Sequence, residues 1–323
     1  MADDDARPRH DDDARDRADD RADAHAHDRA HHRGDHPRVP YDRVAVERAL
    51  RAGGATGRVV VVGRTASTSA DLVAALGSEP VAWPDRSVLV ADHQAAGRGR
   101  RGRTWTTPAH TAVTVSVVLR PGPDVPVDRW GWLPLVAGLA VVGALDEAAG
   151  VRSVLKWPND VLVDAAPGDD ALPGWGRRRK VAGLLGDVVP LPGGPAAVVG
   201  IGVNVDQVRD ELPVPSASSL RLAGARAGVG REAVLTAVLD HLWRLETRWR
   251  AVHGDARAAG LDVECAAACA TLGARVRVDL PAGREVVGVA RSLGPDGSLE
   301  VVDGVGALHR VLAGDVHHMR SAD

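Results

Sequence analysis

Apolar positions along residues 44–252 switch repeatedly between strand-like runs and helix-like spacing. The β-branched runs 58–63 (Arg-Val-Val-Val-Val-Gly), 87–92 and 111–119 (TAVTVSVVL) predict buried strands. A short helix is expected over 44–50. Residues 65–76 predict a turn opening a helix, because Ser67, Thr68 and Ser69 offer capping oxygens and Asp71 suits a first turn. Helical spacing recurs over 132–149 and over 233–252, where Leu235, Leu239, Leu242 and Trp249 fall near one face. Short strands at 154–155 and 160–163 flank a turn at Pro158, and strands resume at 181–189 and 197–205. Between them, residues 164–179 carry Pro, Gly and charge without period, which predicts an inserted flexible loop.

After Ala270 the pattern changes. Strands at 275–280, 286–292, 299–302 and 307–312 are separated by Pro-Ala-Gly, Gly-Pro-Asp-Gly and Asp-Gly turns, the spacing of a small all-β barrel. The expected fold is therefore α/β (α+β), a mixed β-sheet backed by helices with a C-terminal β-barrel. The expected units are a tail at 1–40, a main domain at 41–270 and the barrel at 271–323.

Composition alters this picture at three points. The first 40 residues are nearly all Asp, Arg, His and Ala and hold six of the 13 histidines (His10, His25, His27, His31, His32 and His36), too little apolar surface to offset the entropy of ordering. Cys265 and Cys269 lie in an Ala-rich stretch with no further metal ligands nearby, so they read as buried structural cysteines in a reducing compartment. No signal peptide is evident and no run approaches membrane-spanning length, so a cytoplasmic protein without membrane partners is expected. The 8 Trp, 1 Tyr and no Phe read as coding bias.

The chemistry begins at Gly97-Arg-Gly99-Arg-Arg-Gly102-Arg103. It matches G-x-G-x-x-G literally, but a dinucleotide fingerprint needs a helix next, and here Thr104-Trp-Thr-Thr-Pro108 leads to another strand. A nucleic-acid role is disfavoured: the cluster Arg98, Arg100, Arg101 and Arg103 is isolated on a chain of net charge −3, with one aromatic neighbour, Trp105. An exposed basic turn remains the plain alternative. The third option is a small, highly charged anion. Guanidinium groups on a glycine-rich loop can close over a carboxylate and a triphosphate, reduce their repulsion, and stabilise charge developing at the α-phosphorus.

Three companion segments follow. Lys156-Trp-Pro-Asn-Asp160 groups a cation with oxygen donors suited to Mg²⁺. Lys180-Val-Ala-Gly-Leu-Leu185 starts an apolar strand with a lysine, and Gly183 permits close ligand approach. Gly200-Ile-Gly-Val-Asn204 ends a buried strand in an amide. Each alone has a structural reading, as a turn, a surface lysine or a strand cap; their order with the Arg loop carries the argument.

In these segments, and at Ala91-Asp-His-Gln-Ala-Ala-Gly97, the chain resembles the biotin protein ligases from about Val59 onward. The resemblance implies an SH3-like barrel cap and a ligase that makes biotinyl-5′-AMP from biotin and MgATP. It also implies transfer of biotin to a lysine of the biotin carboxyl carrier domain of acyl-CoA carboxylases. ATP and Mg²⁺ would serve the reaction without a tightly held cofactor. By motif, Ser67, Thr68, Ser69 and Gln94 would bind biotin, although Ser69 stands where the family usually has Asn. Arg98, Gly99 and Arg100 would lie in the loop closing over biotin and adenylate, with Gly183 beneath biotin. Lys180, with Arg98, would act on the reacting carboxylate and α-phosphate. The nucleotide set would be Arg100, Arg101, Arg103, Trp105, Lys156, Asn159 and Asn204, and the metal set Asn159 and Asp160. The polar tail stands where some members carry a DNA-binding domain, so a monofunctional enzyme that does not bind nucleic acid is expected. One exposed sheet edge could dimerise or dock the carrier, giving a monomer or weak homodimer. The rivals are a lipoate or octanoyl ligase or transferase, and a non-catalytic biotin-sensing regulator.

Overall fold

The computed structural model describes residues 38–280, 284–312 and 314–319. The tail predicted at 1–40 lies mostly outside the described residues. Arg38, however, is bound: its guanidinium donates to Asp206 Oδ2 at 2.8 Å and to Glu211 Oε1 at 2.6 Å.

Seven strands form the main sheet: β1 (Val59–Val62), β2 (Ser87–Ala91), β5 (Ala112–Leu119), β6 (Val154–Lys156), β7 (Asp160–Asp164), β8 (Arg178–Val189) and β9 (Ala196–Asn204). Their order is β1-β2-β5-β9-β8-β7-β6; β1 and β2 run parallel and every other neighbouring pair antiparallel. A two-stranded hairpin, β3 (Gly97–Arg98) with β4 (Thr104–Trp105), rises from the Gly-Arg loop.

The sheet's two faces have different fates, as period-two alternation requires. Val113, Val115 and Val117 of β5, with Val199, Ile201 and Val203 of β9, join the principal core. That core is completed by α1 (Arg43–Ala52), α3 (Leu133–Ala144), α4 (Arg231–Arg250) and α5 (Leu261–Ala268). The opposite face is covered at one end by α2 (Thr68–Ser78), whose Leu72 and Leu76 pack on Val118 and Val198. The rest of that face is lined by glycine, serine and threonine and stays open as a cavity.

A buried charge cluster secures the region beside the cavity. Asp92, just past β2, accepts from Arg231 of α4 at 2.9 Å and from the Tyr41 backbone N–H at 3.0 Å, while the Arg231 guanidinium lies 4.0 Å from the Tyr41 ring centroid. Removing one partner of such a pair strands a buried charge, which costs about 3–5 kcal/mol.

Several expectations are revised. The apolar run read as one helix over 132–149 is a 3₁₀ turn (Val127–Trp132), then α3, then a π-type turn (Leu145–Ala149). Together these 23 residues are long and apolar enough to cross a membrane, contrary to the expectation that no run approached that length. They are instead a core element: Leu135, Val136, Ala140 and Val141 are all buried in the principal core. The stretch 164–179 is not simply a loose insertion, because β8 starts inside it at Arg178 and the remainder is hydrogen-bonded as a hairpin.

The C-terminal strands are β10 (Arg275–Asp279), β11 (Glu285–Leu293), β12 (Leu299–Asp303), β13 (Leu308–Val311) and β14 (Asp315–His318). They form an antiparallel sheet in the order β13-β12-β11-β10-β14. The predicted barrel is not closed, because β13 and β14 end up at opposite edges; β14 itself had not been foreseen. Two buried indoles tie this sheet to the rest. Trp132 Nε1 donates to Gly294 O at 3.1 Å and Trp157 Nε1 to Gly297 O at 3.0 Å, both at the β11–β12 turn.

Candidate active site

The open face of the main sheet floors a cavity of about 410 Å³. Its polar end is built where α2 begins. Ser67 takes an extended backbone and its Oγ accepts from Ala70 N–H, capping the helix and leaving Thr68 and Ser69 turned toward β5. Gln94 Oε1 accepts from Thr68 N–H at 2.8 Å and from Thr68 Oγ1 at 3.0 Å. Ser116 Oγ of β5 lies 2.8 Å from Thr68 Oγ1 and 2.9 Å from Ser69 Oγ. These buried hydroxyls and one amide form a connected network able to receive a polar head group.

Ser116 was missed by sequence reasoning. The signal was present, since Thr114 and Ser116 are polar at a period of two within an otherwise apolar strand.

The middle of the cavity is a glycine floor. Gly183 of β8 and Gly202 of β9 are cross-strand partners. A Cβ on Gly202 would meet Trp105 Cε2 at 2.7 Å, and one on Gly183 would meet Trp105 Cζ3 at 3.1 Å and Lys180 Nζ at 3.0 Å. The Trp105 indole therefore lies directly on backbone, an approach that only glycine permits. Its buried Nε1 has no hydrogen-bond partner among the described residues.

Lys180 reaches this floor through an irregularity. In the β7–β8 ladder Val161 pairs with Ala182 but Leu162 pairs with Lys180, so Val181 is an extra residue. The bulge turns Lys180 onto the face that carries Gly183. Its backbone is held by Lys180 N–H donating to Ser216 O (2.7 Å) and by Ser218 N–H donating to Lys180 O (2.8 Å). Its Nζ pairs with Asp160 Oδ1 at 2.5 Å and stands 5.5 Å from the Trp105 ring centroid.

Cations dominate the rest of the lining: Arg98, Arg100, Arg103, Lys156 and Lys180 face Asp160 and Asp315. Burial pushes the Arg100 and Lys156 pKa values down, and neighbouring cations act in the same direction against the pull of the carboxylates. An excess of partly desolvated positive charge is what a polyanion would neutralise.

The Gly-Arg loop is tied to the C-terminal sheet. Asp315 of β14 pairs with Arg103 and, at 3.2 Å, with Arg101 Nη1; Arg101 Nη2 also donates to Asp279 O at 3.0 Å. Asp315 stands in no motif and is another residue that sequence reasoning missed.

The structure gathers nearly all the predicted site residues around one cavity. Ser67, Thr68, Ser69, Gln94, Gly99 and Gly183 line it, as do Trp105, Asn159 and Asn204 with the cations named above. Arg101 does not; its guanidinium is spent on the C-terminal sheet. The Asn204 amide is engaged by protein at both ends, donating to Ser218 O (2.9 Å) and accepting from Gln207 Nε2 (3.0 Å).

Residues 63–206 match the profile of the Biotin/lipoate A/B protein ligase family. The chain is 39% identical over 294 residues to the biotin–[acetyl-CoA-carboxylase] ligase of Mycobacterium tuberculosis, covering 88% of this chain and 98% of the relative. It is 35% identical to the bifunctional ligase/repressor BirA of Bacillus subtilis over 131 residues, 40% of this chain and 36% of the relative. Among solved structures it is similar to the biotin protein ligase of Aquifex aeolicus in complex with biotin and ATP (TM-score 0.61, 27% identity, 82% of this chain and 99% of that one). Near-complete coverage of the mycobacterial enzyme, on a fold shared with the Aquifex one, shows that the chain belongs to the biotin protein ligase family.

Proposed function

We propose that the chain joins biotin to ATP as biotinyl-5′-AMP and then transfers biotin to a lysine of a biotin carboxyl carrier domain of an acyl-CoA carboxylase, working in the cytoplasm. The observation that carries this is the cavity's polarity. A hydroxyl–amide network stands at one end, a cationic group at the other, and the Trp105 indole lies on the glycine floor between them.

In the first step a biotin carboxylate oxygen attacks the α-phosphorus, the new C–O–P bond forms, and the Pα–O–Pβ bond breaks to release pyrophosphate. The head group binds Ser67, Thr68, Ser69 and Gln94. Lys180, held by Asp160, contacts the carboxylate and α-phosphate, and Arg98 and Arg100 offset the mutual repulsion of the two anions. In the second step the carrier lysine, as a free amine, attacks the acyl carbon. AMP leaves, an amide forms, and the amine proton is lost to solvent.

The donor set at Asn159 and Asp160 fits Mg²⁺. Asn159 Nδ2 donates to Leu184 O at 3.0 Å, which leaves its side-chain oxygen as an acceptor, and Asp160, paired with Lys180 through Oδ1, has a second carboxylate oxygen. Mg²⁺ commonly takes one or two carboxylates plus substrate phosphates, so these two residues would hold it, and its chemistry there is to screen phosphate charge.

ATP–pyrophosphate exchange tests the reading. Exchange dependent on biotin is expected. Exchange with lipoate instead would assign the chain to the lipoate branch, and none with either acid would leave a non-catalytic binder.

A further inference from the structure

Ser116 is fully buried on β5, opposite Gly200 of β9, and is not part of the cavity lining. Thr68 and Ser69 do line the cavity, and both are bonded to it. A Cβ on Gly200 would stand 2.3 Å from Ser69 Oγ, so the two serine hydroxyls meet over bare backbone.

The direction of every proton in this hydroxyl chain follows from one fixed point. Thr68 N–H can only donate, so the Gln94 atom 2.8 Å away is the carbonyl oxygen Oε1. That oxygen cannot donate in return, so the Thr68 hydroxyl gives it its single proton, at 3.0 Å. Ser116 must then donate to Thr68 Oγ1 at 2.8 Å, and Ser69 must donate to Ser116 Oγ at 2.9 Å. Protons thus run from Ser69 through Ser116 and Thr68 to Gln94.

Ser69 and Thr68 therefore face the cavity with lone pairs. Ser67 Oγ accepts from Ala70 N–H, and its own proton, like those on Gln94 Nε2, has no acceptor among the described residues. A cyclic urea, with ring N–H donors and a carbonyl oxygen, complements both sets. A dithiolane or alkyl end brings no donor and would bury the lone pairs unpaired, at a cost of about 1–3 kcal/mol for each group.

We propose that Ser116 is a positioning residue for head-group specificity. It draws the Ser69 proton away from the cavity and leaves Ser69 as an acceptor for a ureido N–H. The inference rests on biotin being the acid bound, as the ligase reading has it. Without Ser116 the Ser69 hydroxyl loses its buried acceptor, and its proton turns toward the ligand, donor against donor.

Calorimetric titration of the full chain with biotin tests this without requiring turnover. Ser116→Ala is expected to raise Kd for biotin about ten-fold, equivalent to about 1.4 kcal/mol. Ser69→Ala should weaken binding by a similar factor. The double variant should bind no more than about two-fold worse than Ser69→Ala alone, because Ser116 acts through the hydroxyl already removed. A Kd in Ser116→Ala within about two-fold of wild type would overturn the proposal, as would losses that multiply to about a hundred-fold in the double variant. Wild type that binds biotin without catalysing exchange would bring down the ligase reading and leave this one standing. Wild type that binds no biotin would overturn both.

Discussion

Lys180 and Gly183 stand three residues apart on β8 yet face the same cavity, because the extra residue Val181 reverses the alternation between them. An unbulged strand would turn Lys180 toward the helical core. The ammonium is thus placed by ladder geometry and then held by Asp160 at 2.5 Å.

Replacing Lys180 with Ala should abolish most biotin-dependent exchange, by roughly 10²–10³-fold, the usual loss when one donor to a developing charge is removed. Unfolding should shift little, since one partly exposed charge rarely sets stability. Rates near wild type in the purified variant would remove Lys180 from the chemistry.

The contact between Trp105 and the paired glycines makes a second expectation. Gly202→Ala would place a methyl group 2.7 Å from Trp105 Cε2, so the ring must lift off the floor. We expect kcat/KM to fall about ten-fold or more, as sub-ångström misplacement in such sites commonly does. The melting curve should stay close to wild type. Kinetics for both substrates beside a thermal melt will separate displacement from unfolding.

How far the site could be read from sequence follows from these two cases. The Ser67–Ser69 cap, the Arg loop and Lys156–Asp160 are local patterns, and local patterns survive without coordinates. The bulge at Val181 is a property of two strands together, so it left no trace in the alternation of β8 alone. Trp175 lies in a stretch with no period to interpret, and only the fold brings it to the cavity lining. At the other end of the chain, β14 (Asp-Val-His-His) offers a single apolar residue and is a strand only through its pairing with β10. The spacing of short strands and turns predicts a barrel, whereas closure depends on which edges meet. Arg101 was grouped with its neighbours by sequence proximity, but its backbone takes a left-handed conformation (φ 53°), and its side chain is bonded to the C-terminal sheet rather than lining the cavity.

Asp315 bridges Arg101 and Arg103, so Asp315→Ala should loosen the Gly-Arg loop. Limited trypsin digestion should then cut faster at residues 98–103 in the free variant than in wild type. Biotin with ATP should slow cleavage of both proteins, since a closed loop shields its own peptide bonds. Equal cleavage of the free proteins would show that the two ion pairs do not govern the loop.

His318 provides a pH test. Burial, followed by the nearby Lys156 and Arg178 charges, pushes its pKa from 6.5 down to about 4. The unfolded chain therefore binds this proton more readily than the folded one between these values, and stability should fall as pH drops from 6.5 toward 4. His318→Asn keeps a polar group facing Thr271 and should flatten that part of the profile. A denaturation series across the window that gives parallel curves for variant and wild type would refute the assignment.

The ion pairs of Asp315 reach across more than two hundred positions, from β14 back to the Arg loop; for Arg101 the separation is 214. During synthesis, then, the glycine floor and Lys180 are translated well before the carboxylate that holds the Arg loop. Any intermediate chain halted ahead of β14 would carry the reactive apparatus with an unrestrained gate. Under the proposed function, competence to shield a hydrolysable acyl-phosphate anhydride would thus be among the last properties the growing polypeptide acquires.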